Sequence, residues 1–270
     1  MLKQLLHLDS IDGNQNYDTI LRTYHCYNTN ILINIPIANI KEISLKSIEM
    51  PLFFNNIRTA NNSNLFSFKF SYGAYNNISI GCLIPESNYI TINSLLTALN
   101  SSIVSALISY SGVSVVLTLT NTYYITITHN CSSLTLNKNI LNNYILGFNT
   151  GTYNTSTITT TNFYCLNVDN YINLYITNLN SGSDTNANGR LLIFKIPLNA
   201  VNGQIIYLGE SNTFIQTISI TDPNFVLSSL NIMILDRFGF PINGGNANYS
   251  FTLGISYDKT NEKLFKNIGR

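Results

Sequence analysis

Three histidines, four cysteines and 13 acidic residues are what this 270-residue chain offers for acid–base, nucleophilic or metal chemistry. A metal site needs ligands at short, regular spacings, so that one turn or strand pair can aim them at a single ion. His7, His25 and His129 each lack a cysteine, histidine or carboxylate at such a spacing, and Cys26, Cys82, Cys131 and Cys165 are scattered without a CxxC pair. Thiols so distributed are expected to be reduced, since the N-terminal residues do not read as a secretory signal. The closest acidic groupings, Asp9 with Asp12 and Asp258 with Glu262, lie in terminal segments. Glycoside hydrolysis needs two carboxylates held at a set separation by a rigid scaffold. Acids distant in sequence can converge in space, so a hydrolase stays as a third-ranked reading.

Other catalytic patterns are missing. There is no GxSxG, GxxxxGK[ST] or HExxH. The glycines of "GGNANYSFTLG" join a turn to a strand, so they do not place a phosphate on a helix N-terminus. The expectation is a non-enzyme with no catalytic, cofactor-binding or metal-binding residues and no cofactor. Aromatic side chains are the one plentiful binding resource, 17 Tyr and 14 Phe with no Trp. Exposed tyrosines in loops would suit a glycan, whereas core Phe and edge Tyr need no ligand at all.

The elements that would position such residues are strands. Apolar and polar residues alternate through Phe66, Phe68 and Phe70, through Val113, Val115, Leu117 and Leu119, and through Tyr123, Ile125 and Ile127. The same period of two runs through Ile172, Leu174 and Ile176, through Leu192, Phe194, Ile196 and Leu198, through Leu230, Ile232 and Ile234, and through Phe251, Leu253, Ile255 and Tyr257. Half-buried antiparallel strands have this pattern. One segment departs from it. Ile92, Leu95, Leu96, Leu99, Ile103 and Leu107 share one face at helical spacing, with Thr91 or Asn93 placed to cap. The fold expected is all-β, an antiparallel β-sandwich of jelly-roll type with one inserted amphipathic helix. The apolar runs fall far short of the ~20 residues that span a bilayer, so no transmembrane segment is expected.

By organisation, residues 1–40 read as an N-terminal arm and first strand, 41–258 as the jelly roll, and 259–270 as a short basic tail. More strands are present than a jelly roll uses, which points to an insertion or long loops within 130–190. "TGTYNTSTITTTN", Thr150 to Asn162, is the expected boundary or loop, and "NSGSDTNANG", Asn180 to Gly189, is tip-like. Within "ISLKSIEMPLFFNNI", Ile43 and Leu45 are in one register and Ile48 and Met50 in the other. A bulge near Lys46 and Ser47 would turn all four inward. Pro51 then ends the strand because it has no N–H to donate, and Phe53, Phe54 and Ile57 would plug the end of the sandwich. Later, Asp236 can bond the backbone of a turn in which Gly239 supplies positive φ and Pro241 limits the restart.

Charged residues are 10% of the chain, against roughly a quarter in ordinary domains, and the net charge is +1. Nothing here attracts nucleic acid. Asn, Ser, Thr and Tyr provide the solubility instead, and a nearly neutral polar surface suits a protein that packs against neighbours. A+T-rich codons also explain much of this composition, yet lysine, encoded likewise, numbers only nine.

Two segments resemble a known family. "NILINIPIANIKEISLKSIEMPLFFNNI", followed by "NSNLFSFKF", resembles the amino-terminal part of minor capsid and vertex (penton) proteins of large nucleocytoplasmic DNA viruses and virophages, in which strands end in Ile-Pro and Glu-Ile-Pro before a Phe/Tyr-Asn-Ile turn. "SSLNIMILDRFGFPINGGNANYSFTLGISY" resembles their closing hairpin with its Asp-Arg-Phe-Gly turn, and "YITINSLLTALN" matches a helix often placed after an early hairpin. One departure is Ile11, where many relatives carry an arginine after Asp-Ser. The resemblance implies a structural virion protein of a giant virus or virophage, assembled in the host cytoplasm. It further implies a homo-oligomer, a pentamer closing the icosahedral vertices against the major capsid protein and other minor capsid proteins. The alternatives are a minor capsid cement protein and a receptor- or glycan-binding fibre head.

Overall fold

A computed structural model describes residues 2–18, 23–52, 55–176, 179, 194–200, 203–209, 217–222, 224–242 and 247–258. Phe53, Phe54, the 180–189 loop and the 259–270 tail fall outside these ranges. The chain divides into two compact units, unit 1 from Met1–Phe54 with Asp169–Arg270, and unit 2 from Asn55–Val168.

Unit 1 contains β1 (Leu2–Asp9), β2 (Asn14–Asp18), β3 (Thr23–Ala38) and β4 (Ile40–Pro51) from the first part of the chain. From the second part it takes β12 (Tyr171–Ile176), β13 (Phe194–Pro197), β14 (Ile205–Leu208), β15 (Thr217–Ser219), β16 (Val226–Leu235) and β17 (Ser250–Tyr257). One sheet runs β1-β17-β4-β14, with β15 also on β4, and the other runs β13-β12-β16-β3-β2. Every pairing within them is antiparallel. Alternation fills the space between the sheets: Ile43, Ile48, Met50, Leu253 and Ile255 from one, and Ile31, Leu174, Phe194, Leu230 and Ile232 from the other, form a single buried core. This is the expected antiparallel β-sandwich of jelly-roll type. Within residues 1–40, read from sequence as an N-terminal arm and first strand, lie three paired strands, β1, β2 and β3, with β1 bonded to β17 along its whole length.

Two local devices make this sandwich. Between β3 and β4 the chain passes from one sheet to the other through Asn39 at φ +55°, a left-handed conformation that asparagine tolerates better than most residues. Within β4 the register against β17 slips twice, once near its start, where Ser256 faces Glu42 and Tyr257 faces Ile40, and once in its middle, where Thr252 faces Ser47 while Leu253 faces Leu45, leaving Lys46 as the extra residue of a bulge. The middle slip brings Ile43 on one side and Ile48 and Met50 on the other to the same buried face, with Leu45 half-buried.

Unit 2 comprises β5 (Leu65–Tyr72), β6 (Tyr75–Leu83), α1 (Ile92–Leu107), β7 (Val115–Leu119), β8 (Ile125–His129), β9 (Ser133–Leu136), β10 (Gly151–Tyr153) and β11 (Thr157–Thr159). They form two antiparallel sheets, β10-β9-β5-β6 and β11-β8-β7. Thr91 caps α1 by accepting from the Ser94 N–H at 3.2 Å, and the six apolar residues expected on its inner face are all buried. Thr150–Asn162 contains β10 and β11, both inside unit 2. A π-helical turn, Ile140–Ile145, had no signal in the sequence; the Asn139 side chain starts it by accepting from the Asn142 N–H at 2.7 Å. Tyr123 also differs from its expected place. It lies in the turn before β8 and is 57% exposed, because Asn121 turns the chain there by accepting from the N–H groups of Tyr123 and Tyr124 at 2.9 and 3.1 Å.

Candidate functional site

The closing turn of β16 is built around Asp236, which is fully buried. Its Oδ1 accepts from the N–H groups of Phe238 at 2.8 Å and Phe240 at 2.9 Å. The Gly239 N–H donates to the Asp236 carbonyl at 2.9 Å, with Gly239 at φ +83°. As the chain leaves the turn, Pro241 makes a bridge with Leu235, and the Ile242 N–H donates to the Ile234 carbonyl at 3.0 Å. A neighbour from β12 secures the turn, since the buried Asn173 donates through Nδ2 to the Asp236 carbonyl at 3.0 Å. Outside it, Tyr171 lies 4.1 Å below the Lys195 ammonium and 5.9 Å from the Arg237 guanidinium, within cation–π range.

Pro51 is the last residue of β4 and faces Ile205 on β14. Beyond it, the Leu52 N–H still donates to the Gln204 carbonyl at 2.8 Å. Ile57 is fully buried, in unit 2, where it bridges to Ser87. The four residues singled out in sequence therefore occupy two places in unit 1: Asp236, Gly239 and Pro241 in one turn, and Pro51 at a strand end.

A sheet edge presents unpaired N–H and C=O groups with which another chain can pair. In unit 2 the edge strands β6 and β7 are both met by α1. Asn100 donates through Nδ2 to the Leu117 carbonyl at 2.8 Å and accepts from the Leu117 N–H at 2.9 Å. Two residues on, the Ser102 hydroxyl donates to the Leu83 carbonyl on β6 at 2.8 Å. In unit 1, among the described residues, no strand pairs with the outer edge of β1. That edge is eight residues long, without proline or bulge, and Leu5 on it is 56% exposed.

The groups capable of chemistry fall in several places. His7 lies with Asp9, Asp12 and Glu49 along a shallow groove, its Nδ1 2.9 Å from the Thr252 hydroxyl. His129, at the end of β8, is 3% exposed, and burial lowers its pKa from 6.5, opposed in part by the backbone at Cys131 and Thr155. Cys82 and Cys131 are buried free thiols and Cys165 is an exposed one. Burial pushes the Cys82 thiol up to about 11 and raises Cys131 as well. Among the described residues, no three His, Cys, Asp or Glu side chains come together as a metal site, and no helix is long and apolar enough to cross a membrane.

Comparison with known proteins gives one kind of match. No family model matches the chain, and no curated protein does. Among solved structures, the crystal structure of the selenomethionine-labelled mavirus penton protein aligns over 94% of this chain and 100% of that one, at 11% identity and a TM-score of 0.44.

Proposed function

We propose that this chain is a structural virion protein, the penton that closes the vertices of an icosahedral capsid as a homopentamer. In this reading it contacts the major capsid protein and other minor capsid proteins, is assembled into particles in the host cytoplasm, and has no enzymatic role. The observation that carries the reading is how the two family-like segments meet. Asn30–Ile57 and Ser228–Tyr257 are far apart in sequence, yet β3 pairs with β16 and β4 pairs with β17, so together they make the centre of both sheets of unit 1. The strands of these two family-like segments thus lie side by side in unit 1, while the family-like stretches 62–70 and 89–100 belong to unit 2. The low charge of the chain, 10% of residues with a net of +1, favours packing against neighbours.

A closed ring needs a heterologous interface, with one patch meeting a different one. The outer edge of β1 is a suitable first patch, because an incoming strand would take up its main-chain groups. Light scattering over a concentration series tests the assignment. A species at five times 30.2 kDa, or co-purification with the major capsid protein in particles, supports it. A monomer at every concentration that never enters particles overturns it.

A further inference from the structure

Three aromatic rings gather at one place in unit 2 without joining its core. Tyr123 and Tyr124 come from the β7–β8 turn, and Phe163 from the segment after β11. The Tyr123 and Phe163 ring centroids are 5.3 Å apart, and those of Tyr124 and Phe163 are 5.2 Å apart. Tyr123 is 57% and Phe163 61% exposed, with Tyr124 half-buried beside them. Apolar side chains exposed singly are ordinary, but here three rings meet at a loop tip, Phe163 tilted 44° to Tyr123 and 63° to Tyr124, so that aromatic faces of Tyr123 and Phe163 stay open to solvent.

Main-chain bonds hold this surface in place. Asn121 fixes the Tyr123–Tyr124 turn. The Tyr164 N–H donates to the Tyr123 carbonyl at 3.3 Å, which ties the two loops together, and the Cys165 N–H donates to the Ile145 carbonyl at 2.8 Å. Under Asn162 sits Gly147 at φ +86°, where a Cβ would lie 2.5 Å from the Asn162 carbonyl oxygen. Rings held by backbone lose little freedom when a ligand stacks on them.

The surroundings select the ligand. Unit 2 is described throughout, and its only charged side chains are Arg58, Lys69, Glu86 and Lys138, none of them in these loops. The exposed neighbours are Asn121, Thr122, Thr161 and Asn162, which offer amides and hydroxyls. These loops themselves supply no cation for a phosphate or carboxylate. A neutral pyranose has what fits: an apolar C–H face for the rings and hydroxyls for the polar rim. A protein partner would need on the order of 800 Å² of matching surface. Three rings with a polar border match one sugar residue better.

We infer that Tyr123, Tyr124 and Phe163 form a stacking platform for a neutral saccharide, with Phe163 as its central ring. The inference stands whether or not the chain closes a capsid vertex. Its test uses the full chain on an array of neutral and sialylated oligosaccharides, with saturation-transfer NMR on the neutral glycans that bind. The expected result is binding of neutral glycans, weakened about tenfold by Phe163→Ala, the scale of one lost ring-stacking contact, and restored by Phe163→Tyr. Circular dichroism melting is expected to be unchanged in both variants, because the ring is exposed. Absence of glycan binding, binding of sialylated glycans alone, or neutral-glycan binding indifferent to Phe163→Ala each overturns the inference. A Phe163→Ala variant that changes the mass in light scattering while the wild type binds no sugar assigns the rings to a protein interface and likewise overturns it.

Discussion

Asn100 does for Leu117 what a neighbouring strand would do: one side-chain amide takes both the N–H and the C=O of an edge residue. A helix thereby closes an edge of the β11-β8-β7 sheet. The cost of losing it is large for a half-buried side chain, since two main-chain groups lose their partners together.

Asn100→Ala is therefore expected to lower the stability of unit 2 by about 2 kcal/mol, read by urea unfolding. The open β7 edge should also promote association, seen as concentration-dependent light scattering. A variant as stable and as dispersed as the wild type would show that the clamp is idle.

The Asp236 turn gives a graded set. Asp236→Ala leaves the Phe238 and Phe240 N–H groups without their acceptor and is expected to cost about 2–4 kcal/mol. Asp236→Asn keeps a side-chain oxygen and should cost less. Gly239→Ala places a Cβ at φ +83°, with an expected loss of about 1–2 kcal/mol. Equal melting temperatures for Asp236→Ala and Asp236→Asn would contradict this account.

His129 makes unit 2 sensitive to acid. Its pKa in the folded chain lies below 6.5 because burial disfavours the imidazolium. Above 6.5 both folded and unfolded chains hold it neutral, and it contributes no pH dependence. As pH falls below 6.5 the unfolded chain takes up a proton that the folded chain resists, so stability drops until the folded pKa is reached. The strands beside it, β7 and β11, carry no acid or base, and the nearby Cys131 thiol stays neutral throughout this range. Urea midpoints measured from pH 7.5 to 5 should fall for the wild type and fall less for His129→Leu. Parallel profiles would assign the acid sensitivity elsewhere.

The thiols should separate by accessibility. Cys165 is expected to react with a maleimide in the native chain, whereas Cys82 and Cys131 should react only after unfolding, because both are buried and their thiolates are disfavoured. Peptide mapping reads this directly. Native labelling of Cys82 at the rate of Cys165 would mean that β6 opens readily.

Much of the fold is legible because a two-residue period is hard to mistake. The strands at Phe66–Phe70, Leu230–Ile234 and Phe251–Ile255 bury the residues that their alternation marks, and the slip between Leu45 and Ile48 foretells the bulge at Lys46. The helix is as clear, with Thr91 as cap. What the sequence hides is side chain acting on backbone. An asparagine that clamps a strand edge, such as Asn100, looks like any other asparagine on a helix, and Asn139 gives no hint of a π-helical turn. Tyr123 continues an alternating pattern, so only the Asx turn at Asn121 reveals that it faces outward. Phe163 carries no periodic signal, and its meeting with Tyr123 depends on how β11 pairs with β8.

The division of the chain also orders its synthesis. Unit 2 is one uninterrupted stretch, so all its strands can pair once Val168 has left the ribosome. Unit 1 has to wait: β3 and β4 are made early, but β16 and β17, their neighbours in the two sheets, come almost at the end. Until then the apolar faces of two long strands lack the partners that cover them, a hazard for aggregation that grows with the delay. Slow translation across 169–225 would lengthen that window, and a chaperone that shelters β3 and β4 would shorten its effect.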